Sequence, residues 1–210
     1  MVIVKIYVAL ILLVAQACGT ANRVESRNSP DPGEVGKANF SHYKDPDGAF
    51  SISIREGWKV ERNKHEEQWV ALLSIDKHAW ATLISSDKHN AARLLILSFK
   101  QPPMNSYPDE LKARMLAGIG EPIFKGWIGS LREQTQVKQV NKVYKTMLAA
   151  KDAFRQDVTY YRGDQYDPRK GYGIFLMGNH TALFITLTGN DEGVKALESM
   201  LSSLQVEPAN

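Results

Sequence analysis

The chain has 210 residues, 43% of them hydrophobic and 23% charged, with a net charge of +3 and a single cysteine. So small and evenly spread a charge excludes the basic footprint of a nucleic-acid binder. One thiol excludes an intramolecular disulfide, so the core must be held by packing alone, and the length suits one domain.

The N-terminus reads as an address. Lys5 precedes the ten apolar residues Ile6 to Ala15, which run into Ala15-Gln16-Ala17 and then Cys18-Gly19. A basic start, a short apolar run and a small-residue exit predict a secretory signal over 1–17. The run is shorter than the ~20 residues a membrane span needs. Leu13-Val-Ala-Gln-Ala-Cys18 resembles the bacterial lipobox, with Ala15 where that motif usually carries leucine. The resemblance implies that Cys18 becomes the first mature residue and is acylated, with two chains on glycerol and one on its amine. Two or more chains anchor stably where one is marginal. The other reading is an ordinary cleaved signal with a coincidental cysteine. Loss of 1–17 removes Lys5 and no acid, leaving 25 basic against 23 acidic residues, +2. Gly19 stands where inner-membrane lipoproteins often carry Asp. The lipobox resemblance therefore implies the outer membrane, facing the periplasm, in a cell that has one.

Residues 18–39 read as the lipidated cysteine and a flexible linker. Ser29-Pro30-Asp31-Pro32-Gly33 can form neither helix nor ladder. The residues after Cys18 would span about 25 Å as a coil. Asn39-Phe40-Ser41 and Asn179-His180-Thr181 match the glycosylation sequon, which a bacterial lipoprotein does not normally use.

A single domain is expected over 40–207. Asp45-Pro46-Asp47-Gly48 is dense in turn formers. Phe50, Ile52 and Ile54 then alternate with Ser51, Ser53 and Arg55, which predicts the domain's first strand, half buried and ended at Gly57 before Trp58. Trp69 to Ile75 and Trp80 to Ile84 are further strand candidates. Ala92 to Phe99 is apolar on both faces and predicts a central strand covered on both sides. Ser106 and Asp109 are spaced as a capping box, ahead of a helix with Leu111, Met115, Leu116 and Ile119 on one face and an end at Gly118 and Gly120. Lys125-Gly-Trp-Ile-Gly129 reads as a loop. Val137, Val140 and Val143 fit a short helix or irregular strands. Phe154, Val158 and Tyr160 alternate as a strand, a turn is expected from Gly163 to Gly171, and Gly173–Met177 and Thr181–Leu187 flank a Gly178-Asn179 hairpin turn. Asn190 caps a last helix with Val194, Leu197, Leu201 and Leu204 inward. The order of elements predicts an α+β layered domain.

Tyr43…Asp47-Gly48…Phe50-Ser-Ile-Ser-Ile54…Gly57-Trp58 resembles the opening signature of the PsbP-like superfamily, with Glu56 where that signature usually has proline. The hairpin Tyr172–Leu187 and the helix ending Leu201-Ser-Ser-Leu-Gln-Val206 are similar to the family's C-terminal half. Its members include the extrinsic photosystem subunit, a nuclear-transport factor that binds a small GTPase, and DcrB-type bacterial lipoproteins. The resemblance implies an antiparallel β-sheet packed between helices, an α/β/α sandwich. It also implies a scaffold without a shared active site, so function does not follow from the fold.

Signals for chemistry are sparse. His65-Glu66-Glu67 opens like a zincin motif, but Trp69 occupies the second histidine position. His42, His78, His89 and His180 lack ligand spacing, so no metal or cofactor is expected. Ser41-His-Tyr-Lys44 and Ser85-Ser-Asp-Lys88 match Ser-x-x-Lys without its companion boxes. Asp152, Asp157, Asp164 and Asp167, interleaved with Lys151, Arg155, Arg162 and Arg169, read as a charge-paired face. Binding has better candidates. Trp127 with Lys125 is either an exposed aromatic on a loop or a ring tucked onto the sheet. Tyr161, Tyr166, Arg169 and Tyr172 form an aromatic and basic group of the kind favoured at interfaces, or else dress a strand edge. A groove between sheet and helix is a third candidate. The expectation is a non-catalytic adaptor of the bacterial envelope with a protein partner. The alternatives are a carrier of a small apolar or amphiphilic ligand, and a hydrolase with an unrecognised site.

Overall fold

The computed structural model describes residues 39–65, 78–86, 92–161 and 169–206. The expected leader, Cys18 and its linker, the candidate strand 69–75, His89 and Tyr166 lie outside them. The described chain runs β1 (Phe40–Lys44), β2 (Phe50–Arg55), β3 (Lys59–His65), β4 (Ala79–Ser86), β5 (Ala92–Lys100), α1 (Asp109–Gln134), β6 (Gln136–Val140), β7 (Tyr144–Leu148), β8 (Lys151–Tyr161), β9 (Arg169–Met177), β10 (Thr181–Gly189), α2 (Asp191–Leu201) and β11 (Gln205–Val206). It is mostly antiparallel sheet with two α-helices among the described residues, an α+β arrangement. Neither helix is long and apolar enough to cross a membrane.

The Phe50–Arg55 strand forms where its alternation predicts, but it is the second strand. The Asp45–Ala49 turn folds the chain back on itself. Gly48 at φ 75° closes it, the Asp45 carboxylate accepts from the amides of Asp47 and Ala49, and Tyr43 pairs with Ile52. β1 escapes detection because Phe40-Ser-His-Tyr-Lys44 is largely exposed and shows no apolar face. Together β1, β2 and β11 make a small sheet of their own.

The main sheet has the order β3-β4-β5-β10-β9-β8-β6. β7 follows β6 along the same edge of β8: Val140 pairs with Val158 and Tyr144 with Arg155. β5 is central as expected, hydrogen-bonded to β4 and β10. Alternation splits its side chains. Leu94 and Ile96 join one core cluster; Leu97 and Phe99 join the other. On the first face, Ile174, Leu176, Leu183, Ile185 and Leu187 meet α2 and β2 through Val194, Leu197, Leu201, Phe50, Ile52 and Ile54. On the second, Phe175 and Phe184 meet Phe124 and Ile123 of α1. The sheet thus lies between two helical layers, one of which shares its face with the small sheet. The Asn190 carboxamide caps α2 by accepting from the Gly193 amide at 2.9 Å. Gly178 turns the β9–β10 hairpin, its amide donating to the Thr181 carbonyl.

Two expectations about α1 are corrected. It does not end at Gly118 and Gly120 but runs 26 residues, through Pro122 and the stretch Lys125–Gly129 read as a loop. Each interior glycine costs about 1 kcal/mol relative to alanine. Burial of Ile123, Phe124 and Ile128 outweighs it, at about 1.5–3 kcal/mol per side chain. Ser106 is not its N-cap either. It sits in a 3-10 turn (Met104–Ser106), where its hydroxyl donates to the Pro103 carbonyl, and the helix starts after Pro108 with no side-chain cap. The expected turn at 163–171 also ends early, because Arg169 already opens β9.

Candidate functional site: the groove beside α1

On β9, Gly173 has no side chain, so the rings of Phe124 and Trp127 descend onto the sheet. A Cβ at that position would lie 3.1 Å from both rings. Phe124 and Trp127 stack edge-on against Phe184, with centroids 5.7 and 6.3 Å away. These contacts pin α1 over β9 and β10. Farther out, over β8 and β6, the facing positions are small: Gly120 on the helix, Val140 on β6 and Val143 in the link between β6 and β7. The layers there leave a groove of about 520 Å³, within the range of small-ligand sites.

Its helix wall is Gly120, Glu121, Phe124, Lys125, Ile128 and Arg132. These positions share one face and span about 18 Å at 1.5 Å per residue. Its other wall and floor are Phe154, Gln156, Val140 and Val143. Val137 and Val140 reach this face together because the register shifts between Val137 and Gln139. In a regular strand, residues three apart would point to opposite sides. The apolar surface continues along β7. Met147 is 68% exposed and pairs with Asp152, on the same side of the sheet as Phe154.

Charge is unevenly placed around this groove. Glu121 is paired with Lys125 at 3.0 Å. Arg132 makes no ion pair among the described residues and stands at the far end of the helix wall. The segment 136–150 that closes the other side carries Lys138, Lys142 and Lys145 and no acid. In the floor, the Gln156 side-chain amide donates to the Asn141 carbonyl at 3.0 Å, which fixes its orientation. Its oxygen is buried and has no donor.

The residues expected at a binding surface do not gather in one place. Lys125 is exposed on α1 at the rim of the groove, while Trp127 is half buried as the ring tucked onto the sheet. Arg169 is buried at the start of β9, opposite Tyr160. Tyr161 ends β8 with the Lys138 ammonium 4.7 Å from its ring. Tyr172 points to the other face, where the Arg155 guanidinium lies 3.6 Å over its ring. Burial, and then the charge of Glu198, pushes the Tyr172 phenol well above its ordinary range. Asp157 joins this second group, accepting from Tyr144 at 2.8 Å and from Arg155 at 2.8 Å. Burial works to lower the Arg155 guanidinium, but the Asp157 contact together with the Tyr172 and Tyr144 phenols outweighs it and leaves it raised. The groove lining itself was largely missed in the sequence. Arg132 and Gln156 carry no local signal. The three valines at 137, 140 and 143, read for secondary structure alone, were the available clue.

No protein-family model matches this sequence, and no curated protein does. Solved structures do resemble it in fold. The cyanobacterial PsbP protein (CyanoP) of Synechocystis sp. PCC 6803 aligns with a TM-score of 0.52 and 14% identity, covering 84% of this chain and 98% of that one. LpqN of Mycobacterium tuberculosis, described as involved in cell envelope biogenesis, aligns at 0.44 and 10% identity over 82% and 93% of the two chains. Protein PA94 of Pseudomonas aeruginosa, described as a putative regulator, aligns at 0.38 and 13% over 81% and 99%. The CyanoP likeness establishes a PsbP-like fold, and at that identity the fold alone.

Proposed function

We propose that this chain is a lipid-anchored binding module of the bacterial envelope, tethered through acylated Cys18, whose recognition site is the groove between α1 and β6–β8. The single observation that carries the reading is that groove: about 520 Å³, floored by Phe124, Ile128, Val140, Val143 and Phe154. A solvated protein leaves apolar surface in a concavity where something else covers it. The lining favours binding over chemistry. It holds one carboxylate, already paired with Lys125, and no nucleophile beside a base. The leader-like run ending at Cys18 supports the envelope, and acylation would keep the domain within about 25 Å of a membrane through the linker. A carrier role fits the groove directly. An adaptor role fits it if the ligand is a segment of another protein.

A photo-crosslinking residue placed at Val143 tests this in cells. It should capture an adduct that the same residue at Glu61, on the far edge strand β3, does not. Equal capture at both positions, or none at Val143, sinks the groove as the recognition site. Mass spectrometry of the mature protein tests the anchor: an N-terminus at Cys18 without added acyl mass removes it.

A further inference from the structure

From the groove's chemistry we infer its ligand class, on the footing that the groove is the binding site: a single-chain amphiphile with an anionic head. Two features converge. The lining is mostly apolar, and its helix wall from Gly120 to Arg132 runs about 18 Å, a length that suits one hydrocarbon chain. The rim is positive. Glu121 is neutralised by Lys125, and Arg132 has no carboxylate partner among the described residues. A guanidinium binds carboxylate or phosphate through paired donors, so Arg132 is the head-group residue.

Gln156 lies on β8 between Phe154, which is beside Gly120, and Val158, which packs with Ile128. A head at Arg132 would place the first carbons of the chain over Gln156 and the tail along Phe124 and Phe154 toward Gly120. Enclosure selects a free molecule over a membrane surface. The walls lie on both sides of the chain, so the occupant is a free amphiphile rather than a bilayer.

The test is calorimetric titration of the purified full-length chain with three probes: hexadecanoate, hexadecanol and hexadecyltrimethylammonium. Hexadecanoate should bind tightest, the alcohol about five- to tenfold more weakly, and the cation weakest. Arg132→Gln, an exposed change that leaves the core intact, should weaken hexadecanoate about five- to tenfold and leave hexadecanol unchanged. Equal binding of carboxylate and alcohol, or indifference to Arg132→Gln, overturns the assignment of the head group while leaving the groove as a site. If no probe binds, but Val140→Trp abolishes the in-cell adduct formed from position 143, the occupant is a protein segment and the amphiphile is refuted. If Val140→Trp leaves that adduct unchanged as well, the groove reading falls.

Discussion

The hairpin joining β7 to β8 turns through Ala149 and Ala150, at φ 51° and 57°. Leu148 pairs with Lys151 across it, which makes it a two-residue loop with both central residues left-handed. That geometry suits Asn-Gly and disfavours any residue with a bare Cβ. An alanine there costs about 1–2 kcal/mol relative to right-handed backbone. The double substitution Ala149→Asn with Ala150→Gly relieves both positions. Two terms oppose the gain. Glycine frees the unfolded chain by about 0.5–1 kcal/mol, and asparagine at position 149 keeps the Cβ but brings a carboxamide against the core, at about 1 kcal/mol. The net stabilisation is about 1 kcal/mol. For a domain of this size that raises Tm by about 2–4 °C. Thermal unfolding followed by circular dichroism reads it, and urea titration should show a higher midpoint with an unchanged slope. Ala150→Val is the control. Ala150 is exposed, so valine loses no packing there and its penalty is conformational. If Ala150→Val proves no worse than Ala150→Gly, the left-handed turn is not a source of strain and the reasoning fails.

Three further outcomes are expected. Gly173→Ala should destabilise the fold by about 1–3 kcal/mol in urea, because the added methyl would press on the rings of Phe124 and Trp127 at 3.1 Å; a neutral result would mean α1 is not seated on that glycine. Asp157→Ala should cost about 1 kcal/mol, the half-exposed carboxylate being screened, while Asp157→Ala combined with Tyr144→Phe should cost little more, since the two share one hydrogen bond; additive losses would contradict that. Alkali should weaken the fold through Tyr172. Its phenol is raised in the folded chain, first by burial and then by Glu198. Stability is therefore full below about pH 10, and it falls as pH rises past that point, because the unfolded phenol ionises and the folded one resists. Urea midpoints at about pH 9 and about pH 11 should differ less in Tyr172→Phe than in the native chain, and an equal drop in both would place the alkaline loss elsewhere.

Where an element carries its own pattern, the sequence announced it. Phe50-x-Ile52-x-Ile54 alternates because one side meets α2 and the other meets solvent. The β9–β10 hairpin and the Asn190 cap are local events, set by residues adjacent in the chain. The failures are tertiary. The second half of α1 contains Gly126, Gly129 and Pro122, a composition that reads as loop, and it is helical because Phe124, Trp127 and Ile128 bury themselves on the sheet. The valines at 137 and 140 mimic a helical period, and only the bulge explains why they share a face. The groove follows from both misreadings, since its two walls are that stretch of helix and that bulged edge. Of the expected contact residues, Lys125 alone lies on its rim.

The two walls are not held alike, and that would decide how a ligand of the proposed site enters. The helix wall is fixed by Phe124 and Trp127, seated on Gly173 and against Phe184. The other wall, 136–148, borders one strand only, β8, and is interrupted by a bulge at one end and a left-handed turn at the other. An edge with one neighbour and exposed backbone opens at lower free energy than the sheet's centre. Widening of the groove therefore falls to β6 and β7, while α1 stays in place. Hydrogen exchange should be faster at 136–148 than in β9 or β10, and bound hexadecanoate should slow it there and at β8, not at the α2 face. Protection that appeared mainly in α2 would put the occupant on the wrong side of the sheet.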